Sequence, residues 1–246
     1  MAGLREPVGV EGVNVVFSAD VNNHRARSFL AHLDESERAR LLKFSLIHEL
    51  RRNEVVFCAG DVPDYVYIVQ SGRIRIYHLS SAGRVVSLWF CVAEDIFGLT
   101  ELYHGGSRQV CAQACERSRV LRIARADFSH FLEASPGAAL AALDVVSMRL
   151  RGLGRVIEGL VECDVTERLT QLIQRLCLEY GRPDGENICI DLRLTHQDFA
   201  DMIGATRQTV TSTLGELRRR GVVTLNDRRW YVARQMLDVK TKPAPK

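Results

Sequence analysis

The chain has 246 residues, 46% of them hydrophobic and 26% charged, enough to bury a core in each of two modest domains. Its apolar stretches fall short of a membrane span, and residues 1–7 lack the basic-then-apolar opening of a signal peptide, so a cytoplasmic protein with no membrane partner is expected. The net charge of +3 is uneven: seven arginines between Gly204 and Arg234 face only Glu216 and Asp227, a local +5 that points to a polyanion on one face.

Residues 1–24 carry few patterns and read as an N-terminal arm. The stretch "DESERARLLKFS" (34–45) opens acidic and carries Leu41, Leu42 and Phe44, which predicts a short helix. From His48 to Ile123 the texture changes to β-branched and aromatic runs such as "EVVFCAGD", "YVYIVQSGRIRIYHLSSAGRVVSLWF" and "RVLRIARADF". Ser71-Gly72 and Ser81-Ala82-Gly83 are hairpin signals between alternating strands. Short strands at this spacing predict an antiparallel barrel or jelly roll, taken as a sensor domain over 25–136.

The stretch "ADFSHFLEAS" (126–135) reads as a short helix stopped by Pro136, and a long helix is expected over 137–163. Leu143, Val146, Leu150, Leu153, Ile157 and Leu160 step by three and four along it, the seam of a coiled coil. A parallel homodimer helix is favoured over a helix lying on its own barrel. Gly152, Gly154 and Gly159 interrupt this helix at about 0.8–1 kcal/mol each, a weak spot of about 2–3 kcal/mol that an effector could order and so switch the protein allosterically.

A second helix is expected over "DVTERLTQLIQRLCLEYG" (164–181), then a strand at "NICIDLRL" (187–194). Thr195 and Asp198 form a helix-start box, with Phe199 and Ile203 on one face of the short helix that follows. Gly204-Ala205 supplies a turn, and Thr206 caps a further helix whose apolar face is Val210, Leu214 and Leu217. Arg207/Thr211 and Gln208/Ser212 project from the other side at i,i+4 spacing. Short helix, glycine turn and second helix make a helix-turn-helix. Arginine suits a guanine edge, glutamine an adenine, and short hydroxyls suit bases or phosphates. Arg218, with Arg219 and Arg220, is placed to neutralise phosphates. "VVTLNDRRWYVA" predicts two strands around Asn226-Asp227, a wing with Arg228 and Arg229 near its tip. Thr195 and His196, at the start of the first helix, complete the set of expected DNA contacts over 164–238. "KTKPAPK", within 239–246, reads as a polar tail.

Over about 30–236 this organisation resembles the cyclic-AMP receptor/fumarate-nitrate regulator superfamily of bacterial transcription factors. The resemblance rests on the barrel, the long helix after Pro136, "DVTERL", the winged helix-turn-helix and above all "GATRQTVTSTL", which is most similar to the carbon-monoxide-sensing branch. "IDLRLTHQDFADMIGATRQTVTSTLGEL" is also similar to the nitrogen-control regulators. It implies an α+β chain with a jelly-roll sensor, a dimerisation helix and a winged helix-turn-helix. It also implies a homodimer on palindromic double-stranded DNA that works with RNA polymerase. Many members carry Glu and a second Arg where Gln208 and Ser212 stand, which puts the usual TGTGA half-site in question while leaving a guanine under Arg207.

In nucleotide-binding members, a Gly-Glu pair holds the ribose and an Arg-Ser/Thr pair the cyclic phosphate. Here the cassette is "FGLTELYHGGSRQVCAQA" (97–114). Gly98 is followed by Leu99, Glu101 comes late, Arg108 is followed by Gln109, and the long helix offers Leu153-Gly154 where the receptor has Thr-Ser. Cyclic AMP is therefore a poor fit, while Arg108 can still take another anionic effector or pair with Glu101. Iron–sulfur relatives need several N-terminal cysteines and this chain has none before Cys58, so an iron–sulfur sensor is a poor reading. Haem is a lesser alternative, with His78 and His104 as axial candidates. Seven cysteines without a C-x-x-C pair read as reduced, buried thiols, and Cys111 and Cys115, on one strand face, are a lesser redox alternative. A cupin-like metal enzyme needs clustered His ligands and finds none in the sequence.

Overall fold

The computed structural model describes residues 28–81, 83–103 and 105–237. The expected arm and tail, and the candidate haem ligand His104, lie outside them.

The period-two texture becomes two four-stranded antiparallel sheets. One runs in the order β1 (Ser45–Leu50), β8 (Ser118–Ala124), β3 (Tyr65–Ser71), β6 (Ile96–Phe97). The other runs β2 (Val55–Phe57), β7 (Cys111–Ala114), β4 (Ile74–Leu79), β5 (Val85–Cys91). Alternation along β3 decides what lies where. Tyr67 and Val69 point between the sheets with Phe57, Ile76 and Phe97. Val66 and Ile68 point the other way, against a layer of helices. That layer contains α1 (Glu35–Lys43), α2 (Arg125–Glu133) and the first half of α3 (Pro136–Glu162). α1 starts at a capping box, in which Asp34 accepts from the Glu37 N–H and the Glu37 carboxylate accepts from the Asp34 N–H.

Pro136, expected as a stop, is also the first residue of α3, where the missing N–H has no helical partner to lose. The two alternatives for this helix concern opposite faces of it. Ala138, Ala141, Ala142 and Val145 are buried on the chain's own barrel. Leu143, Val146, Leu150, Ile157 and Leu160 are exposed, and Leu153 is half-buried. The expected weak spot does not appear as a break: the helix is continuous through all three glycines. A Cβ on Gly159 would meet Gln171 Oε1 at 3.2 Å, so this glycine permits close packing, whereas Gly152 and Gly154 face open space.

The C-terminal unit contains α4 (Val165–Tyr180), the hairpin β9 (Gly181–Asp184) and β10 (Asn187–Ile190), α5 (His196–Ile203), α6 (Arg207–Arg219), and the wing β11 (Val223–Asn226) and β12 (Arg229–Ala233). The strands form one sheet in the order β11-β12-β10-β9, and β9 was not foreseen. Leu172, Leu176, Phe199, Leu214, Leu217 and Trp230 close its core, and Phe90 from β5 of the barrel enters the same cluster. Arg75 pairs with Asp201 at 3.3 Å, Arg73 donates to the Arg193 carbonyl at 2.8 Å, and the Tyr180 hydroxyl donates to the Phe90 carbonyl at 3.0 Å. Barrel and winged unit are thus docked to each other. Among the described residues no single helix is long and apolar enough to cross a membrane.

Candidate DNA-reading surface and sensor site

Three local devices set the reading helix. Thr195 caps α5, its Oγ1 accepting from the Asp198 N–H at 3.2 Å and donating to Asp198 Oδ2 at 2.8 Å. Its hydroxyl therefore serves the cap. Gly204 ends α5 with φ 65°, a left-handed conformation that glycine adopts without penalty. Thr206 then caps α6, accepting from the Thr209 N–H at 3.1 Å. With Val210, Leu214 and Leu217 buried, Arg207, Gln208, Thr211 and Ser212 are left exposed around one shallow concavity. The i,i+4 spacing thus delivers the expected constellation.

His196 does more than sit at the start of α5. Its Nδ1 is 2.8 Å from Thr211 Oγ1, and its ring lies 5.7 Å from that of Trp230. Thr211 Oγ1 donates to the Arg207 carbonyl at 2.8 Å, so the His196 N–H donates to it and fixes the hydroxyl across the two helices. Burial, then the nearby Arg207 and Arg218, holds His196 below the ordinary imidazole value, favouring this neutral form.

Arg218 and its two neighbours are exposed at the end of α6. The wing differs from expectation by one residue. Its turn centres on Asp227-Arg228, both at positive φ (46° and 61°), because Asn226 pairs with Arg229. Arg228 is therefore the tip. Arg229 lies across the exposed face of the sheet, 3.7 Å from Asp191, which also pairs with Arg182 at 2.5 Å. A phosphate role fits Arg228 better than Arg229.

In the barrel, Arg108 is almost fully buried and spoken for. It pairs with Glu101 at 2.9 Å, donates to the Gly98 carbonyl at 3.0 Å and to the Tyr65 carbonyl, and stacks 4.3 Å from the Phe57 ring. Gly98, at φ 81°, leaves room for it: a Cβ there would lie 3.2 Å from Arg108 Nη1. Gly98, Glu101 and Arg108 are thus brought together as expected. Gln109 and Leu153 are not among the partners of Arg108; Gln109 donates to the Ser107 carbonyl in solvent. Glu101 thus already holds the Arg108 guanidinium, the group expected to meet a cyclic phosphate. Of the two candidate axial ligands for haem, His78 is exposed on β4 and His104 lies outside the described residues. Among the described residues no cluster of three or more His, Cys, Asp or Glu can hold a metal. Cys115 lies beyond the end of β7 against the winged core and does not share the surroundings of Cys111.

A jelly-roll sensor joined by a long helix to a winged helix-turn-helix defines a ligand- or signal-responsive DNA-binding protein. Residues 47–135 match the cyclic nucleotide-binding domain family, and residues 167–237 match the Crp-like helix-turn-helix domain family. The global nitrogen regulator of Nostoc sp. is 28% identical over 186 residues, 75% of this chain and 83% of that protein. A CRP-like cAMP-activated global transcriptional regulator of Mycobacterium tuberculosis is 26% identical over 174 residues, 71% of this chain and 78% of its own. The solved structure of a CooA mutant from Carboxydothermus hydrogenoformans superposes with a TM-score of 0.70 at 22% identity, covering 84% of this chain and 92% of that one. The chain belongs to the Crp/Fnr family and is a DNA-binding transcriptional regulator. Its relatives are regulators, which leaves the metal-enzyme alternative without support.

Proposed function

We propose that this regulator acts as a homodimer on a palindromic site, with α6 of each protomer in the major groove. The observation that carries this is the exposed face of Arg207, Gln208, Thr211 and Ser212 on a capped helix whose other face is buried. Arg207 takes a guanine, Gln208 an adjacent base, and Arg218 and Arg228 the flanking phosphates. The exposed stripe of α3 supplies the dimer contact and spaces the two reading helices by about 34 Å, one turn of DNA. Acting on promoters places the protein in the cytoplasm and beside RNA polymerase. The signal is read in the barrel, and it is not cyclic AMP. The activation named for the mycobacterial relative does not transfer, because Glu101 already neutralises Arg108.

Selection from a random double-stranded DNA pool, with and without cyclic AMP, tests this. The expected outcome is an inverted repeat with a guanine in each half-site and no gain in affinity from the nucleotide. Arg207→Ala should lose about 1–3 kcal/mol of discrimination at that guanine. Failure to enrich any repeat, or an Arg207→Ala variant with unaltered preference, would overturn the proposal.

A further inference from the structure

Two of the seven cysteines face each other across strands. Past a β-bulge between Val55 and Phe57, Phe57 of β2 pairs with Ala112 of β7, and continuing that register one step beyond the end of β2 brings Cys58 opposite Cys111. Flanking hydrogen bonds hold this approach: the Gly60 N–H donates to the Arg108 carbonyl at 2.8 Å, and the Arg108 N–H to the Asp61 carbonyl at 2.9 Å. The Ala59 N–H points at Cys111 Sγ from 3.4 Å, which sets Cys111 against the segment that carries Cys58, and the two thiols are near enough for each to disfavour charge on the other. Directly opposed residues in antiparallel strands have Cα atoms about 4.5–5.5 Å apart. That lies inside the range of about 4.4–6.8 Å that a disulfide spans.

The exposures are complementary. Cys58 is exposed and can meet a solute, while Cys111 behind it is buried and can resolve the product. Burial, then Cys111 and Asp61, hold the Cys58 thiol above its ordinary value, so little thiolate is present at neutral pH and exchange through Cys58 is slow and quickens as pH rises. The remaining cysteines offer no such arrangement. Cys91 and Cys177 are buried, and that burial pushes both thiols up to about 12.

We propose that Cys58 and Cys111 form a reversible dithiol–disulfide site in the sensor barrel, with a low-molecular-weight disulfide as oxidant. The Cys58 thiolate attacks one sulfur of the oxidant, forming a mixed disulfide and releasing one small thiol. The Cys111 thiolate then attacks the Cys58 sulfur and releases the second small thiol. Two protein thiols are oxidised by two electrons, the oxidant is reduced to two thiols, and their protons pass to the departing thiolates. The product fastens β2 to β7 three residues from Arg108. Redox state thereby sets how freely the Arg108–Glu101 site can rearrange.

The test uses the full chain and oxidised glutathione, independently of any DNA assay. After incubation, acid quench and denaturation, free thiols should fall from seven to five, with no glutathione retained and no dimer on a non-reducing gel. Tryptic fragment 53–73 should be linked to 109–117, and dithiothreitol should release it. Because 109–117 also contains Cys115, Cys115→Ser must keep the link. Cys111→Ser must abolish it and leave glutathione on Cys58, and Cys58→Ser, at an exposed position, must keep all six remaining thiols free of cross-links. The cross-linked wild type should also melt a few degrees higher, as expected from closing a loop of this length. Seven free thiols, glutathione stably held by the wild type, or a link lost in Cys115→Ser would each overturn the proposal.

Discussion

Arginine has two opposite fates in this chain, and the surroundings decide which. Arg207 is exposed on a helix whose other face is buried, so its five donors remain available to a partner outside the chain. Arg108 is 2% exposed and spends its donors on Glu101 and two carbonyls. Removing Glu101 leaves a buried charge without a counter-ion, which typically costs about 3–5 kcal/mol. Glu101→Ala should therefore lower the unfolding free energy by about that amount, read from the shift of the denaturant midpoint, and Glu101→Leu with Arg108→Met should recover most of it. A midpoint unchanged in Glu101→Ala would mean that water or another group replaces the carboxylate. The sequence made Arg108, Glu101 and Gly98 visible as candidates because they fall in one cassette. It could not reveal the Tyr65 carbonyl, 43 residues away, since a backbone acceptor leaves no mark on residue identity.

The elements repeat this division between local and long-range causes. Both helices of the reading motif were legible to within a residue, since the caps Thr195 and Thr206, the αL Gly204 and the apolar faces are all local. The β9 strand was not legible: "GRPD" carries a proline, which an edge strand tolerates because its N–H side needs no partner. The wing turn was misplaced because Asn-Asp is itself a good turn pair. The pairing of Asn226 with Arg229 instead forces Asp227 and Arg228 into left-handed conformations. For Arg228 that conformation costs about 1–2 kcal/mol relative to an ordinary one. A glycine would relieve it and at the same time remove the charge at the tip. Arg228→Gly should thus raise the stability of the winged unit by about 1 kcal/mol. DNA binding should weaken similarly on all sequences, and its salt slope should fall by about two, one for each protomer of the dimer. Calorimetry and titrations at several salt concentrations read the two effects separately; a gain in stability with an unchanged salt slope would place Arg228 away from the phosphates.

At the scale of the molecule, two surfaces of the chain govern where the reading helix is held. One is internal: Arg75–Asp201 and Arg73 to the Arg193 carbonyl join residues more than 100 positions apart, and Phe90 enters the winged core, a docking no sequence pattern announced. The other is the outer stripe of α3, which the three-and-four spacing did announce. Leu150 is 70% exposed and Ile157 63%, with Leu143, Val146 and Leu160 also exposed. Large apolar side chains aligned along one helix face carry an unmet drive to leave water, about 25 cal/mol for each Å² covered. A second copy with the same stripe satisfies it symmetrically. Placing charge in that seam should be far more damaging than placing it on the polar flank of the same helix. Leu150→Glu with Ile157→Glu should shift the protein in sedimentation from a dimer to a species of 27.7 kDa, with α-helical circular dichroism retained because both positions point away from the barrel. Each monomer keeps its intact α6, so its affinity for a full palindrome should fall to that for a single half-site and the dependence on half-site spacing should vanish. A variant that still sediments as a dimer would move the interface elsewhere. A monomer that still reads spacing would show that DNA itself brings the two heads together.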